Sequence, residues 1–220
     1  MTALLFSFAA CGSKYEAGIS EGRIIYGVNF PKKENNSALV SIMPDKVEMS
    51  FKNNNTALNI KGFWGAFNIS FITDNQNNKY YALLRIGADK FKHVTDSLGI
   101  FFGYDVIKNI EIEYLKDTMS VCNYLCYKAV AHCKDINRDL ELWYTKDIKL
   151  DKPNVNNAFK ALDGVLMKFQ VIMSGFFMEL TAEEVISEEV SDDVFAIPDN
   201  YKDAKKEDLE PYLKSFENAL

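Results

Sequence analysis

Apolar and polar residues alternate with a period of two along most of the chain after Gly18. Successive side chains of a β-strand point to opposite faces, so this period predicts strands with one buried face and one solvated face. Four consecutive strands are predicted from the alternating positions Tyr26, Val28 and Phe30; Val47, Met49 and Phe51; Thr56, Leu58 and Ile60; and Phe67, Ile69 and Phe71. Asparagine-rich segments at 31–37 and 53–55 lie between the first three strands and another at 74–78 follows the fourth, and such segments favour tight turns. The four strands should therefore form an antiparallel meander.

The same pattern continues through the second half of the chain. It predicts further strands at residues 79–86, 110–114, 127–133, 139–145, 165–173 and 176–186. About ten strands are many for a flat open sheet, so the sheet should curl toward a half-barrel or barrel. The expected fold is mainly β, a single curved antiparallel sheet of the half-barrel kind.

Helical patterns are few. Residues 155–162 follow Pro153 and precede Gly164, an arrangement that favours a short helix. The tail has apolar residues at helical spacing after Asp208, which is a candidate N-cap. Residues 89–103 fit neither pattern clearly. The predicted organisation is an N-terminal segment (1–18), one β half-barrel domain (19–202) and a C-terminal helix (203–220).

The first residues contain an apolar stretch that ends at Cys11 and is followed by Gly12 and Ser13. Small residues occupy the two positions before the cysteine in Phe8-Ala9-Ala10-Cys11, and this box resembles the end of a bacterial lipoprotein signal peptide. The resemblance implies diacylation of the Cys11 thiol and a protein held at a membrane of the cell envelope by its acyl chains. The alternative is a first strand or buried arm that contains an ordinary core cysteine.

Four short motifs follow one another in the second half of the chain: NYLCYKA at 123–129, LWYTKDI at 142–148, LDGVL at 162–166 and FAIPDNY at 195–201. In this order the chain, over residues 20–202, resembles the uncharacterised envelope proteins of Gram-negative bacteria grouped with the GLPGLI and related domain-of-unknown-function families. The resemblance implies an envelope location. It also implies a fold similar to the LolA and LolB lipoprotein carriers, whose curved sheet holds acyl chains in an apolar concavity. It supplies no catalytic residues.

Aromatic and methionine side chains are concentrated on the predicted sheet faces. The inventory comprises Phe51, Phe63, Trp64, Phe67, Phe71, Met167, Phe169, Met173, Phe176 and Met178. We expect a concave face that binds an acyl chain, another hydrophobic ligand or a lipidated partner. The candidate ligand-binding residues are Val47, Met49, Phe51, Leu58, Ile60, Phe63, Trp64, Phe67, Ile69 and Phe71. The alternative is that these side chains only fill the core, with the protein acting as a structural or interaction module that docks on another envelope protein.

Composition excludes several other functions. The 220 residues carry a net charge of −6, and no run of Lys or Arg suits nucleic acid, which is bound by dense positive charge. His93 and His132 are the only histidines and no Gly-x-Ser-x-Gly motif is present, so we expect no enzyme. Phosphate-binding glycine motifs are absent as well, and no cofactor is predicted.

The remaining cysteines, Cys122, Cys126 and Cys133, lack the C-x-x-C spacing of structural zinc. Cys126 and Cys133 lie in one predicted strand and are too far apart to bond directly. We therefore expect buried thiols, with a Cys122–Cys133 disulfide as the alternative. The acidic residues between Glu183 and Asp193 lack the pattern of a calcium loop and are expected to form a solvated face, so no metal site is predicted.

Overall fold

The computed structural model describes residues 18–31, 40, 43–62, 65, 67–95, 104, 107, 109–173, 175–209, 211 and 212. Within these residues twelve strands form one sheet that does not close on itself. The strands are β1 (Glu21–Asn29), β2 (Lys46–Lys52), β3 (Asn55–Gly62), β4 (Phe67–Asp74), β5 (Lys79–Ile86), β6 (Asp89–Thr95), β7 (Ile110–Val121), β8 (Tyr124–Cys133), β9 (Arg138–Thr145), β10 (Val165–Met173), β11 (Phe176–Ile186) and β12 (Lys202–Asp203).

The sheet consists of two meanders joined at one seam. Its order is β12-β6-β5-β4-β3-β2-β1-β11-β10-β9-β8-β7, so β1 to β6 and β7 to β11 each run through neighbouring strands. The seam is the antiparallel pairing of β1 with β11, in which Val28 lies opposite Leu180. All pairs of named strands are antiparallel except β12 with β6, so the sheet is mixed rather than wholly antiparallel. The prediction of an antiparallel meander is confirmed for the first strands.

Two hairpin turns show why neighbouring strands pair so closely. Asn53 and Asn54 have φ values of 50° and 64° between β2 and β3, and Cys122 and Asn123 have 50° and 65° between β7 and β8. Two successive residues with positive φ are the mark of the type I′ turn, whose twist matches that of the strands it joins. Asparagine tolerates this conformation well, so the predicted turn at 53–55 has a direct chemical cause.

One side of the sheet, here called the inner face, carries the main hydrophobic core. In β1, β2 and β5 it presents Ile24, Phe51 and Leu84, which are fully buried. The second meander adds Leu142 and Met167 to the same core. A smaller cluster of Ala57, Ile72 and Leu83 lies apart from this core. Alternation along the strands therefore separates two apolar layers of very different size.

The C-terminal segment, residues 187–204, crosses the smaller cluster and continues around the edge of the sheet. Phe195 and Ile197 pack on that cluster, and β12 then pairs with β6. Beyond β12, Leu209 is fully buried in the main core, and the ring of Tyr212 lies 5.1 Å from that of Phe91. The residues on either side of β12 thus pack on both apolar layers. This packing holds the two-residue strand at the edge of the sheet.

The structure corrects the predicted helix at 155–162. Residues 153–161 form hydrogen-bonded turns, for example from the Asn157 N–H to the Asn154 carbonyl. The Asn154 side chain donates to the Leu162 and Gly164 carbonyls, and the Asn157 side chain accepts from the Phe159 N–H. Asparagine side chains compete with helical hydrogen bonds in this way, so the pattern of proline and glycine at the two ends was misleading.

Two further predictions change. The ambiguous segment 89–103 begins with β6, and with β12 this raises the strand count to twelve among the described residues. The predicted boundary between 202 and 203 falls inside β12. Residues 206–209 and 211–212 are helical, while 213–220 lie outside the described residues. Asp208 accepts from the Lys205 N–H, as the third residue of a capping box does, and is therefore not the N-cap.

Candidate ligand-binding cavity

A cavity of about 130 Å³ lies between the inner face and the turns at residues 153–159. Strands β1 to β4 contribute Tyr26, Val28, Val47, Met49, Leu58, Ile60, Phe67 and Ile69 to its lining. Strands β10 and β11 contribute Val165, Leu166, Phe169, Val171, Met173, Phe176, Met178 and Leu180. Connecting segments add Phe30, Met43, Pro44, Tyr104, Pro153, Asn154, Asn157 and Phe159. No charged side chain is present among these described lining residues.

The structure distributes the predicted ligand-binding residues between the cavity and the core. Six of them line the cavity: Val47, Met49, Leu58, Ile60, Phe67 and Ile69. Phe51 and Phe71 do not, because both are buried in the main core beside it. Phe63, Trp64 and the predicted lipidation site Cys11 lie outside the described residues.

The wall of the cavity formed by β10 and β11 was missing from the predicted site. Phe169, Met173, Phe176 and Met178 belong to the aromatic and methionine inventory of the sequence, but nothing local indicates that they face the first meander. The seam between β1 and β11 brings them there, since it places β10 and β11 directly beside β1 and β2. A pairing between strands about 150 residues apart has no signature in a single sequence.

Methionine is concentrated at the cavity. Met43, Met49, Met173 and Met178 are four of the seven methionines in the chain. The methionine side chain is unbranched and polarizable, so it adapts to ligands of irregular shape at low cost. A cavity of this volume is comparable with engineered apolar cavities of about 150 Å³ that bind benzene. The empty space therefore suits a six-carbon ring or the end of an alkyl chain, and methionine rearrangement can extend it.

Four polar side chains line this apolar space, and three of them are satisfied within the protein. The Tyr26 hydroxyl donates to the Leu166 carbonyl at 2.9 Å, and burial raises the pKa of this phenol. Asn157 donates to Asn154 at 3.1 Å, and Asn154 itself donates to two carbonyls. Tyr104 is 8% exposed, and burial raises its pKa to about 12. No hydrogen bond joins the Tyr104 hydroxyl to any residue that the structure describes.

The three described cysteines are free thiols, as expected, and the alternative Cys122–Cys133 disulfide is not formed. Cys126 and Cys133 are buried, which raises their pKa values to about 12 and about 11. Cys122 is half-buried at the tip of the β7–β8 hairpin, and its thiol lies 3.2 Å from the Ala182 carbonyl. Since the pKa of the Cys122 thiol is also raised by burial, none of the three is suited to act as a thiolate at neutral pH.

His132 lies on β8 between two carboxylates. Its Nδ1 is 2.7 Å from Asp139 on β9, and its Nε2 is 3.1 Å from Glu113 on β7. Hydrogen bonds to both raise the pKa of the imidazole, Asp139 being the larger cause. His93 on β6 instead contacts the Ala204 carbonyl at 3.1 Å. Neither histidine lines the cavity. The contacts of His132 connect β7, β8 and β9 at a different place in the sheet.

Three carboxylates of the acidic segment from Glu183 to Asp193 are paired with cations. Glu183 lies 3.1 Å from Lys46, Asp192 lies 2.9 Å from Lys52, and Glu188 contacts Arg23. Within the described part of the chain, no group of three or more histidine, cysteine or acidic side chains could hold a metal ion. None of the helices in the same residues is long and apolar enough to cross a membrane.

Comparison with known proteins gives a similarity of fold. No protein-family model and no curated protein matches the chain. Crystal structures of PNGF-II in space groups C2 and P21 are similar to it, with TM-scores of 0.56 and 0.55 and 16% sequence identity. They match 90% and 91% of this chain but 33% and 34% of PNGF-II, so this chain spans about a third of that protein's length. The resemblance to the GLPGLI families stays a prediction.

Proposed function

We propose that this protein is a non-catalytic binding protein of the bacterial cell envelope that holds a hydrophobic ligand against the inner face of its sheet. The observation that carries the proposal is the cavity of about 130 Å³, whose described lining is methionine-rich and carries no charged side chain. A ligand there would gain from removing apolar surface from water, at roughly 25 cal/mol per Å². The sheet would act as the predicted half-barrel, with the turns at 153–159 as its cover.

The size of the cavity limits what is bound. Large side chains such as Phe67, Phe159 and Phe169 fill much of the space that a full-length acyl chain would need. The end of an acyl chain, or a small ring compound, fits the remaining volume better. A ligand of this kind is held by shape and apolar contact, with polar groups fixing its orientation.

We expect the purified protein to carry a hydrophobic molecule. The full chain with Cys11→Ser, produced in a bacterial periplasm, should show a mass excess in native mass spectrometry, and solvent extraction should release the bound compound. Leu58→Trp should remove this excess because the indole occupies the cavity, whereas Val94→Trp should keep it because Val94 is exposed on β6. A stable protein without ligand, or equal ligand in both tryptophan variants, would contradict the proposal.

Anchoring is proposed from the box at residues 8–11 and is tested independently of ligand binding. With Cys11 present, the protein should fractionate with membranes and incorporate labelled palmitate, because a cysteine carrying several acyl chains is held stably in a bilayer. Cys11→Ser should release it into the soluble envelope fraction. Membrane association of the serine variant, or absence of label in the unaltered chain, would count against acylation at Cys11.

A second candidate is an interaction module of the envelope. It is favoured by Tyr114 on the edge strand β7 and Tyr127 on β8, which are 51% and 37% exposed and whose rings both contact that of Tyr144. Tyrosine is enriched at protein interfaces because its ring is apolar and its hydroxyl stays hydrated. An empty cavity in the experiment above would favour this candidate.

A further inference from the structure

We infer that the ligand of this cavity is an uncharged molecule with one hydrogen-bond acceptor, which the hydroxyl of Tyr104 binds. The inference rests on the proposed function and names the chemical class of the ligand. Ketone, ester and amide carbonyls, ether oxygens and ring nitrogens all supply such an acceptor on an apolar body.

The two tyrosines in the lining of the cavity differ in their hydrogen bonding. Tyr26 donates its hydroxyl hydrogen to the Leu166 carbonyl, whereas Tyr104 has no such bond to any described residue. The hydroxyl hydrogen of Tyr104 is therefore available to a hydrogen-bond acceptor that enters the cavity. Since Tyr104 is 92% buried beside an open cavity, the partner it lacks has room to be a ligand atom.

The lining also excludes a charged acceptor. None of the described residues around the cavity is Lys, Arg or His, so an ionised carboxylate or phosphate would have no cation to pair with. Transfer of an unpaired ion from water to such an environment is far more costly than transfer of a neutral carbonyl. A hydroxyl donor in a described lining without cations selects a neutral ligand with a hydrogen-bond acceptor.

Most of the other polar hydrogens in the lining are already bonded. Both N–H groups of the Asn154 amide donate to the carbonyls of Leu162 and Gly164, and one N–H of the Asn157 amide donates to Asn154. Tyr104 is therefore the one described polar side chain of the lining that has no hydrogen bond to another described residue. Its position sets the orientation of the bound molecule, while the methionines accommodate its shape.

Benzene and pyridine test the inference, because they have the same shape and differ by one acceptor nitrogen. Both are titrated into the full chain with Cys11→Ser at a pH where pyridine is uncharged, and binding is followed by NMR of ¹³C-labelled methionine methyl groups. Both should shift the methyls of Met43, Met49, Met173 and Met178. In Tyr104→Phe the affinity for pyridine should fall about fivefold, as expected for one hydrogen bond, with little change for benzene.

Tyr26→Phe is the matched control. Tyr26 lines the same cavity, but its hydroxyl is already bonded within the protein, so its loss should affect benzene and pyridine alike. In the protein with both tyrosines, the ring protons beside the pyridine nitrogen should show NOEs to the Tyr104 ring, a measurement that does not depend on the stability of a variant.

The possible outcomes distinguish a failure of the role of Tyr104 from a failure of the cavity as a binding site. If both probes bind and Tyr104→Phe leaves the preference between them unchanged, the role of Tyr104 is overturned while the cavity remains a binding site. Binding of benzoate as tight as that of pyridine would overturn selection for a neutral ligand. If neither probe binds, the proposed function fails together with the inference.

Discussion

Replacing Gly22 with alanine is expected to lower the free energy of unfolding by about 3 kcal/mol, through backbone strain and overpacking. Gly22 has a φ of +152°, and a Cβ atom there would lie 2.2 Å from the Ile186 carbonyl oxygen. Because that oxygen belongs to the backbone of β11, it cannot move aside as a flexible side chain would. The clash falls on the seam between β1 and β11 that joins the two meanders.

Urea unfolding followed by tryptophan fluorescence measures this effect. Gly87→Ala is the control, since Gly87 also has a positive φ, +57°, but a Cβ there meets nothing within 4 Å. It should cost about 1 kcal/mol from backbone strain alone. Equal losses in the two variants would contradict the predicted clash between a Cβ atom at Gly22 and the Ile186 carbonyl oxygen.

Phe51→Ala is expected to cost about 4 kcal/mol of stability, as removal of a fully buried aromatic ring does. Phe51 is 0% exposed in the main core, although the pattern of the sequence predicts it as a ligand-binding residue. Met49→Ala, two positions away on the same face, should cost about 2 kcal/mol, because Met49 is only half-buried and borders existing space. The two substitutions therefore distinguish a core position from a cavity position.

Ligand affinity provides the second half of this comparison. Met49→Ala should change the binding of benzene, whereas Phe51→Ala, measured at a temperature where it stays folded, should leave the methionine methyl shifts of the bound state in place. The measurements are urea unfolding for stability and NMR titration for binding. A larger stability loss for Met49→Ala than for Phe51→Ala would mean that the assignment of core and cavity is reversed.

The elements with the clearest alternation were predicted best. The predicted strands 79–86, 165–173 and 176–186 coincide with β5, β10 and β11. β6 was not predicted because most of its residues are only half-buried, so apolar and polar positions do not separate. β12 consists of two exposed residues paired with the edge of β6, and no pattern can indicate such a strand.

The candidate site was predicted on one side only. Val47, Leu58 and Ile69 belong to strands that are consecutive in the chain, so local alternation is enough to place them on one face. Met178 and Leu180 join them through the pairing of β11 with β1. The same alternation cannot tell Phe51, which fills the core, from Val47, which borders the cavity.

The amino-acid sequence alone determined the mainly β class, the meander of the first strands, the Asn53–Asn54 turn and the apolar character of one face. These properties depend on side-chain alternation and backbone preferences within a few residues. The tertiary structure decided the seam between the meanders, the turns in place of a helix at 153–161, and the position of Tyr104 in the lining of an apolar cavity. These depend on which distant segments meet, and that choice is made by the packing of the whole chain.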